Sequence, residues 1–260
     1  MIIILFILLL YISLTKKIFR DLNELHQIKL IINAKGVIQV LNSNFYTLPS
    51  SILVNNINTT MVNRKLNLTS PSNTIIMNWN SPVTDCSKMF NELIYINSID
   101  LSNFNSPNIV SMSYMFYNCQ NLMHINFTNF KTSNVRDMNY TFYNCIALAS
   151  LDLSSFDTTK VISMDYMFFN CLNLTSLKLG TFKNTLTIRM RGIFQNCINL
   201  SSLDLSNFYI PKAEVLWDMF NGCKSLISLN LSTFDTTKVT DMDLMFAGCS
   251  SVNIFKLKAF

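Results

Sequence analysis

The chain has 260 residues, half of them hydrophobic and 13% charged, with a formal net charge of +5. That much apolar material supplies a large core and excludes wholesale disorder. The basic residues are scattered and not clustered among aromatics, so the chain carries no footprint of nucleic-acid binding.

The first 14 residues, Met1 to Leu14, are almost wholly apolar, and Lys16, Lys17 and Arg20 follow. The run is long enough for a signal-peptide core and short for a spanning helix. Residues 1–20 are therefore expected to be a signal peptide or signal-anchor, with membrane anchorage through residues 1–14. Two features run against cleavage and export. No clear small-x-small site follows the run, and the basic residues lie behind it, where the positive-inside tendency would hold the downstream chain in the cytoplasm. Seven acceptor tripeptides for N-glycosylation start at Asn58, Asn67, Asn126, Asn139, Asn173, Asn199 and Asn230. In a chain this rich in Asn, Ser and Thr, chance alone gives about six, so they carry no argument for secretion.

Residues 21–73 read as an N-terminal cap. Ile28, Leu30 and Ile32 alternate, and Ile38 and Val40 continue the pattern after Ala34-Lys35-Gly36, which predicts a β-hairpin with Gly36 at positive φ. Residues 42–73, rich in Asn, Ser and Thr, read as irregular structure with short strands such as Ser51 to Val54. A terminal coil must not leave its apolar end open to water, so this region is expected to close the end of a stack.

From Thr74 onward a 26-residue period takes over. Cys119, Cys145, Cys171, Cys197, Cys223 and Cys249 keep this step, as do Phe90, Phe116, Phe142, Phe168, Phe194, Phe220 and Phe246. A fixed period of this size marks stacked repeats. Each unit follows C-x-x-L-x-x-L-x-L-x-x-F, a polar stretch, then M-x-x-M-F-x-N/G-C. The L-x-L core predicts one short strand per coil, leucines inward, paired in parallel with its neighbours. The M-x-x-M-F spacing predicts a short helical turn that buries its methionines and phenylalanine. Burying each such side chain contributes about 1.5–3 kcal/mol relative to exposure, and only stacking can bury them.

Leu148 to Val161 and Leu226 to Val239 carry L-x-x-L-x-L-S-x-F followed by D-T-T-K-V nearly whole, and Asn78-Trp79-Asn80 precedes the array. From Trp79 to Phe260 this pattern resembles the BspA-type leucine-rich-repeat surface proteins, in particular the 26-residue version of mycoplasma and protist surface proteins. Departures are Thr141, Ile193 and Leu216 at methionine positions, the stretch Leu186 to Arg189, and Pro211. The expected fold is an α/β repeat solenoid over residues 74–260. It is a leucine-rich-repeat-like, right-handed coil with one short parallel strand and one short helical turn per repeat, ending in an incomplete coil at Phe260. The resemblance implies a secreted or cell-surface adhesion or interaction role.

Six cysteines in a line do not converge as metal ligands must, and only His26 and His124 exist to join them. The column reads as a ladder of buried thiols, with bridges between neighbours disfavoured by parallel Cβ vectors. The residues pointing out from the strands are small and polar. Asp100, Asn126, Asp152, Lys178, Asp204 and Asn230 are the candidate partner-binding face, for a protein or glycan ligand. Asp137, Asp218 and Asp241 read as caps near helix starts. No phosphate loop, H-E-x-x-H or G-x-S-x-G occurs, so the expectation is a non-catalytic binding module without cofactor. The alternative is an intracellular interaction scaffold of the same fold.

Overall fold

The computed structural model describes residues 10–14, 26–180, 182–251 and 253–255. Most of the expected leader and the terminal Phe260 lie outside the described residues. No helix among the described residues is long and apolar enough to cross a membrane.

The N-terminal region supplies β1 (Gln27–Ile32), β2 (Gly36–Gln39), β3 (Ser51–Val54), β4 (Ile57–Asn58), β5 (Lys65–Leu68) and β6 (Asn73–Asn78). The expected hairpin does not form. β1 pairs antiparallel with β6 and with β7 (Ile96–Asp100), and β2 pairs with β5 instead. The alternation in Ile28, Leu30 and Ile32 was read correctly as one buried face, since all three are buried. Their partners lie far along the chain, where a local turn signal cannot point. Gly36 does take a positive φ of 96°. β1 thus lies between the cap and the repeats, and the sheet runs β4-β3-β6-β1-β7-β8.

From β7 on the strands are parallel and one coil apart. β8 (His124–Asn126) pairs with β7, β10 (Ser176–Lys178) with β9 (Ser150–Asp152), and β12 (Ser228–Asn230) with both β11 (Ser202–Leu203) and β13 (Asn253–Phe255). A second parallel ladder runs through Asp85, Ser111, Asp137, Ser163, Arg189, Val215 and Asp241, again one residue per coil. Between the two ladders the apolar columns are buried. Phe116, Phe142, Phe168, Phe194 and Phe220 stack with centroids 5.3–5.5 Å apart. Phe127 stands edge-on to Phe116, Phe130, Phe142 and Phe156.

The predicted helical turns are absent among the described residues; the M-x-x-M-F segments are runs of tight turns. The hydrogen bonds explain why. In the second coil Met115, Tyr117 and Cys119 donate their N–H to carbonyls three residues back, closing turns. The alternate residues Tyr114, Phe116 and Asn118 send theirs to Asn139, Thr141 and Tyr143 of the next coil, at 2.8–2.9 Å. A helix keeps every N–H within its own segment; here every second one ties neighbouring coils. The geometry needs two left-handed residues per coil, four apart: Tyr114 and Asn118, Tyr140 and Asn144, Tyr166 and Asn170. This gives the N/G before each cysteine its physical reason. Asn and Gly tolerate the left-handed region best. Asn144 also donates its amide to Asn118 Oδ1 at 2.7 Å. Asn144→Ala should therefore lose about 1–2 kcal/mol in urea denaturation, and Asn144→Gly less, because glycine keeps the backbone.

Candidate functional site

The strand face carries the row expected to bind. Asn126, Asp152, Lys178, Asp204 and Asn230 are exposed and Asp100 is half-exposed. The structure adds a role that the sequence reading missed. Asp100, Asn126, Asp152, Asp204 and Asn230 each accept, through one side-chain oxygen, the backbone N–H two residues on, at 2.9–3.1 Å. They are Asx turns that bend the chain as it leaves the strand. The signal was present as Asp or Asn followed two residues later by Ser or Thr. Hydrogen bonds from Ser154 to Asp152, and from Ser206 to Asp204, hold these carboxyls below the usual range.

Lys178 cannot accept such a bond. In its coil Gly180 takes φ +56°, and a Cβ there would lie 2.7 Å from the Ser154 backbone. Gly180→Ala should cost more than the ~1 kcal/mol of an ordinary left-handed substitution, read as a lowered urea midpoint. Lys178 reaches Asp152 at 3.4 Å, with both side chains more than half exposed. Such a pair contributes little to stability.

The turn face carries a feature that was not foreseen. Tyr114, Tyr140 and Tyr166 stack at 4.6 and 5.3 Å, and beside them Tyr117, Tyr143 and Phe169 stack at 4.6 and 4.5 Å. All six are partly exposed. They fill x positions of M-x-x-M-F-x, where attention to the buried M and F columns passes over them. The stripe is confined to three coils. Gly192, Asp218 and Leu244 take the first column's position farther on, and Lys88 before it, with its ammonium 5.7 Å from the Tyr114 ring centre.

Asp137 and Asp241 accept N–H bonds from Asn139 and Asp243, but as Asx turns ahead of the tight turns, not as helix caps. Asp218 departs from that expectation: it sits in the left-handed region and accepts amide bonds from Asn221 and Gln195. Burial pushes the Asp137 carboxyl up, against the N–H of Asn139 and the charge of Arg189. Burial also raises the Tyr114, Tyr140, Tyr143 and Tyr166 phenols, so these four are neutral in ordinary buffers.

The cysteine column is fully buried from Cys119 to Cys223 and half-buried at Cys249. Each thiol donates to the carbonyl of the phenylalanine 29 residues earlier, from Cys119 to Phe90 through Cys249 to Phe220, at 3.0–3.2 Å. Burial pushes Cys119, Cys171 and Cys223 up to about 12, which leaves them poor nucleophiles. Cys86, at the first methionine position, is buried as well. Among the described residues no three His, Cys, Asp or Glu side chains converge to hold a metal ion.

The family described as "Mycoplasma protein of unknown function, DUF285" matches residues 52–151 and 140–259. No curated protein matches the chain. A solved structure similar to it is the crystal structure of the T. pallidum leucine rich repeat protein (TpLRR). The two share 17% identity over 67% of this chain and 73% of that one, with a TM-score of 0.44.

Proposed function

The chain belongs to the family described as Mycoplasma protein of unknown function, DUF285, and we propose that it is a non-catalytic binding module of the leucine-rich-repeat type, acting at the cell surface. It would present its stacked coils to a protein or glycan partner by distributed contact. The observation that carries this reading is the registered repetition of solvent-facing groups: Ser150 is matched by Ser176, Ser202 by Ser228 and Asp100 by Asn126 on the neighbouring strands. Chemistry needs unlike groups converging on one point, whereas rows of like groups make an extended contact surface. The likeness of its repeats to BspA-type surface proteins supports adhesion, and the apolar run Met1 to Leu14 supports export or anchorage.

A second reading, an intracellular scaffold, is favoured by the unbridged, hydrogen-bonded thiols, which suit a reducing compartment. Surface protease treatment of intact expressing cells, followed by fractionation, separates the two. Digestion of the chain on intact cells is the expected result. A chain that remains protected in the cytosolic fraction contradicts the surface role. Saturable capture of purified host-surface or matrix proteins by the immobilised chain is the expected binding result, and its absence contradicts the module reading.

A further inference from the structure

We propose that the tyrosine stripe of the second to fourth coils, together with the cleft at its N-terminal end, is the contact surface for a protein segment bearing arginine side chains. This rests on the binding-module reading above and assigns it a face. Three observations converge.

The first is the backbone. Tyr114, Tyr140 and Tyr166 hold φ of 56–57°. That region disfavours a bulky residue by roughly 1–2 kcal/mol. Other coils fill the same left-handed position with Lys88, Gly192, Asp218 or Leu244. The fold therefore does not require tyrosine there, and three successive tyrosines stand against the local preference. Residues that break a local rule in this way concentrate at functional sites.

The second is the chemistry exposed. The rings stack face to face, so their faces are covered and their edges and hydroxyls project. None of the hydroxyls of Tyr114, Tyr117, Tyr140, Tyr143 and Tyr166 has a hydrogen-bond partner among the described residues. A sugar ring that stacks on an open aromatic face finds none inside the columns. A side chain that donates hydrogen bonds finds a row of phenol oxygens on a rigid apolar base. Tyrosine and arginine are the residues that dominate protein hot spots.

The third is the charge and the cleft. The Asp137 carboxylate acts on Tyr114, and that of Asp165 on Tyr140 and Tyr166. Arg189 offsets Asp165 at the far end, pairing with it at 3.5 Å, and the Asp165 carboxylate also accepts the backbone N–H of Arg191. At the near end Lys88 lies over Tyr114, and Asp85 and Asp137 stand in one ladder on either side of Ser111. There the stripe opens into a cleft of about 480 Å³ between the cap and the first coil, lined in part by Tyr46, Asp85, Ser87 and Lys88. Tyr46 is 83% exposed, an aromatic anchor beside a carboxylate. On a chain of net charge +5 this end of the face has acceptors for a cation. A guanidinium, with five donors in a planar fork, matches phenol and carboxylate oxygens together.

The test uses the whole chain and fluorescent synthetic peptides alternating Arg with Leu or Glu with Leu, plus a chitin-type oligosaccharide, read by anisotropy and competition. Asp137→Asn keeps the oxygen that accepts the Asn139 N–H and removes the charge. Tyr46→Ala alters a residue outside the core. Each should weaken the arginine peptide about tenfold, while Asp152→Asn on the strand face leaves it unchanged. Equal binding of the glutamate peptide, preference for the oligosaccharide, or insensitivity to both the Asp137 and Tyr46 substitutions would overturn the assignment. If capture of matrix proteins persists and responds only to Asp152→Asn, the module reading stands and the stripe is not its surface.

Discussion

Raising the pH above about 9 is expected to unfold this chain over a narrow interval. Burial holds the Cys119, Cys171 and Cys223 thiols up to about 12, and Cys86, Cys145 and Cys197 well above the ordinary thiol value of 9.0. The folded chain keeps these protons while the unfolded chain releases them. The thiols' contribution is therefore whole below pH 9 and is lost progressively between 9 and 12. Each buried thiol removes about 1.4 kcal/mol per pH unit in that window, and the five of the column together about 7. A domain's whole stability is about 5–15 kcal/mol, so about one to two pH units suffice. The raised phenols act in the same direction at higher pH. The urea midpoint should be flat from pH 7 to 8.5 and fall steeply from 9 to 10, and replacing Cys145 and Cys171 by Ala should flatten the fall. A midpoint that does not change through pH 10 contradicts burial of the column.

Phe168→Ala is the most damaging single substitution expected. The ring is fully buried between Phe142 and Phe194, with centroids 5.5 Å away on each side. Its removal opens a cavity that neighbours held by coil-to-coil hydrogen bonds cannot fill, at a cost of about 3–5 kcal/mol. Each coil contacts only its neighbours, so a break at the fourth coil divides the stack, whereas the same change at an end removes one interface. Urea denaturation should show either that loss or a split transition; a change below about 1 kcal/mol would contradict a close-packed column.

The repeat and its core were legible in the sequence because a 26-residue column of Cys, Leu and Phe leaves few alternatives. Leu151, Leu153, Phe156, Met164, Met167 and Phe168 are all buried as the pattern requires. The turn segments were misread because i, i+3, i+4 spacing fits a run of three-residue turns as well as a helix. The deciding term, alternate N–H groups donated to the next coil, has no mark within one repeat. The asparagine or glycine before each cysteine of the column was such a mark once left-handed backbone is considered. The cap strands were found singly but mispaired, since β1 meets β6 and β7 across a long span. The aromatic stripe escaped notice because a pattern built from repeated residues discards those that recur in only three coils.

The stacked-coil arrangement is tested most directly by its thiols. Under denaturing, non-reducing conditions, labelling followed by mass spectrometry should count seven free cysteines. On the folded chain at pH 7.5, Cys86 and the five column thiols from Cys119 to Cys223 should resist labelling until urea unfolds the coils together. Missing thiols in pairs, or rapid native labelling in the middle of the column, would contradict the buried, hydrogen-bonded ladder and the coil register built on it.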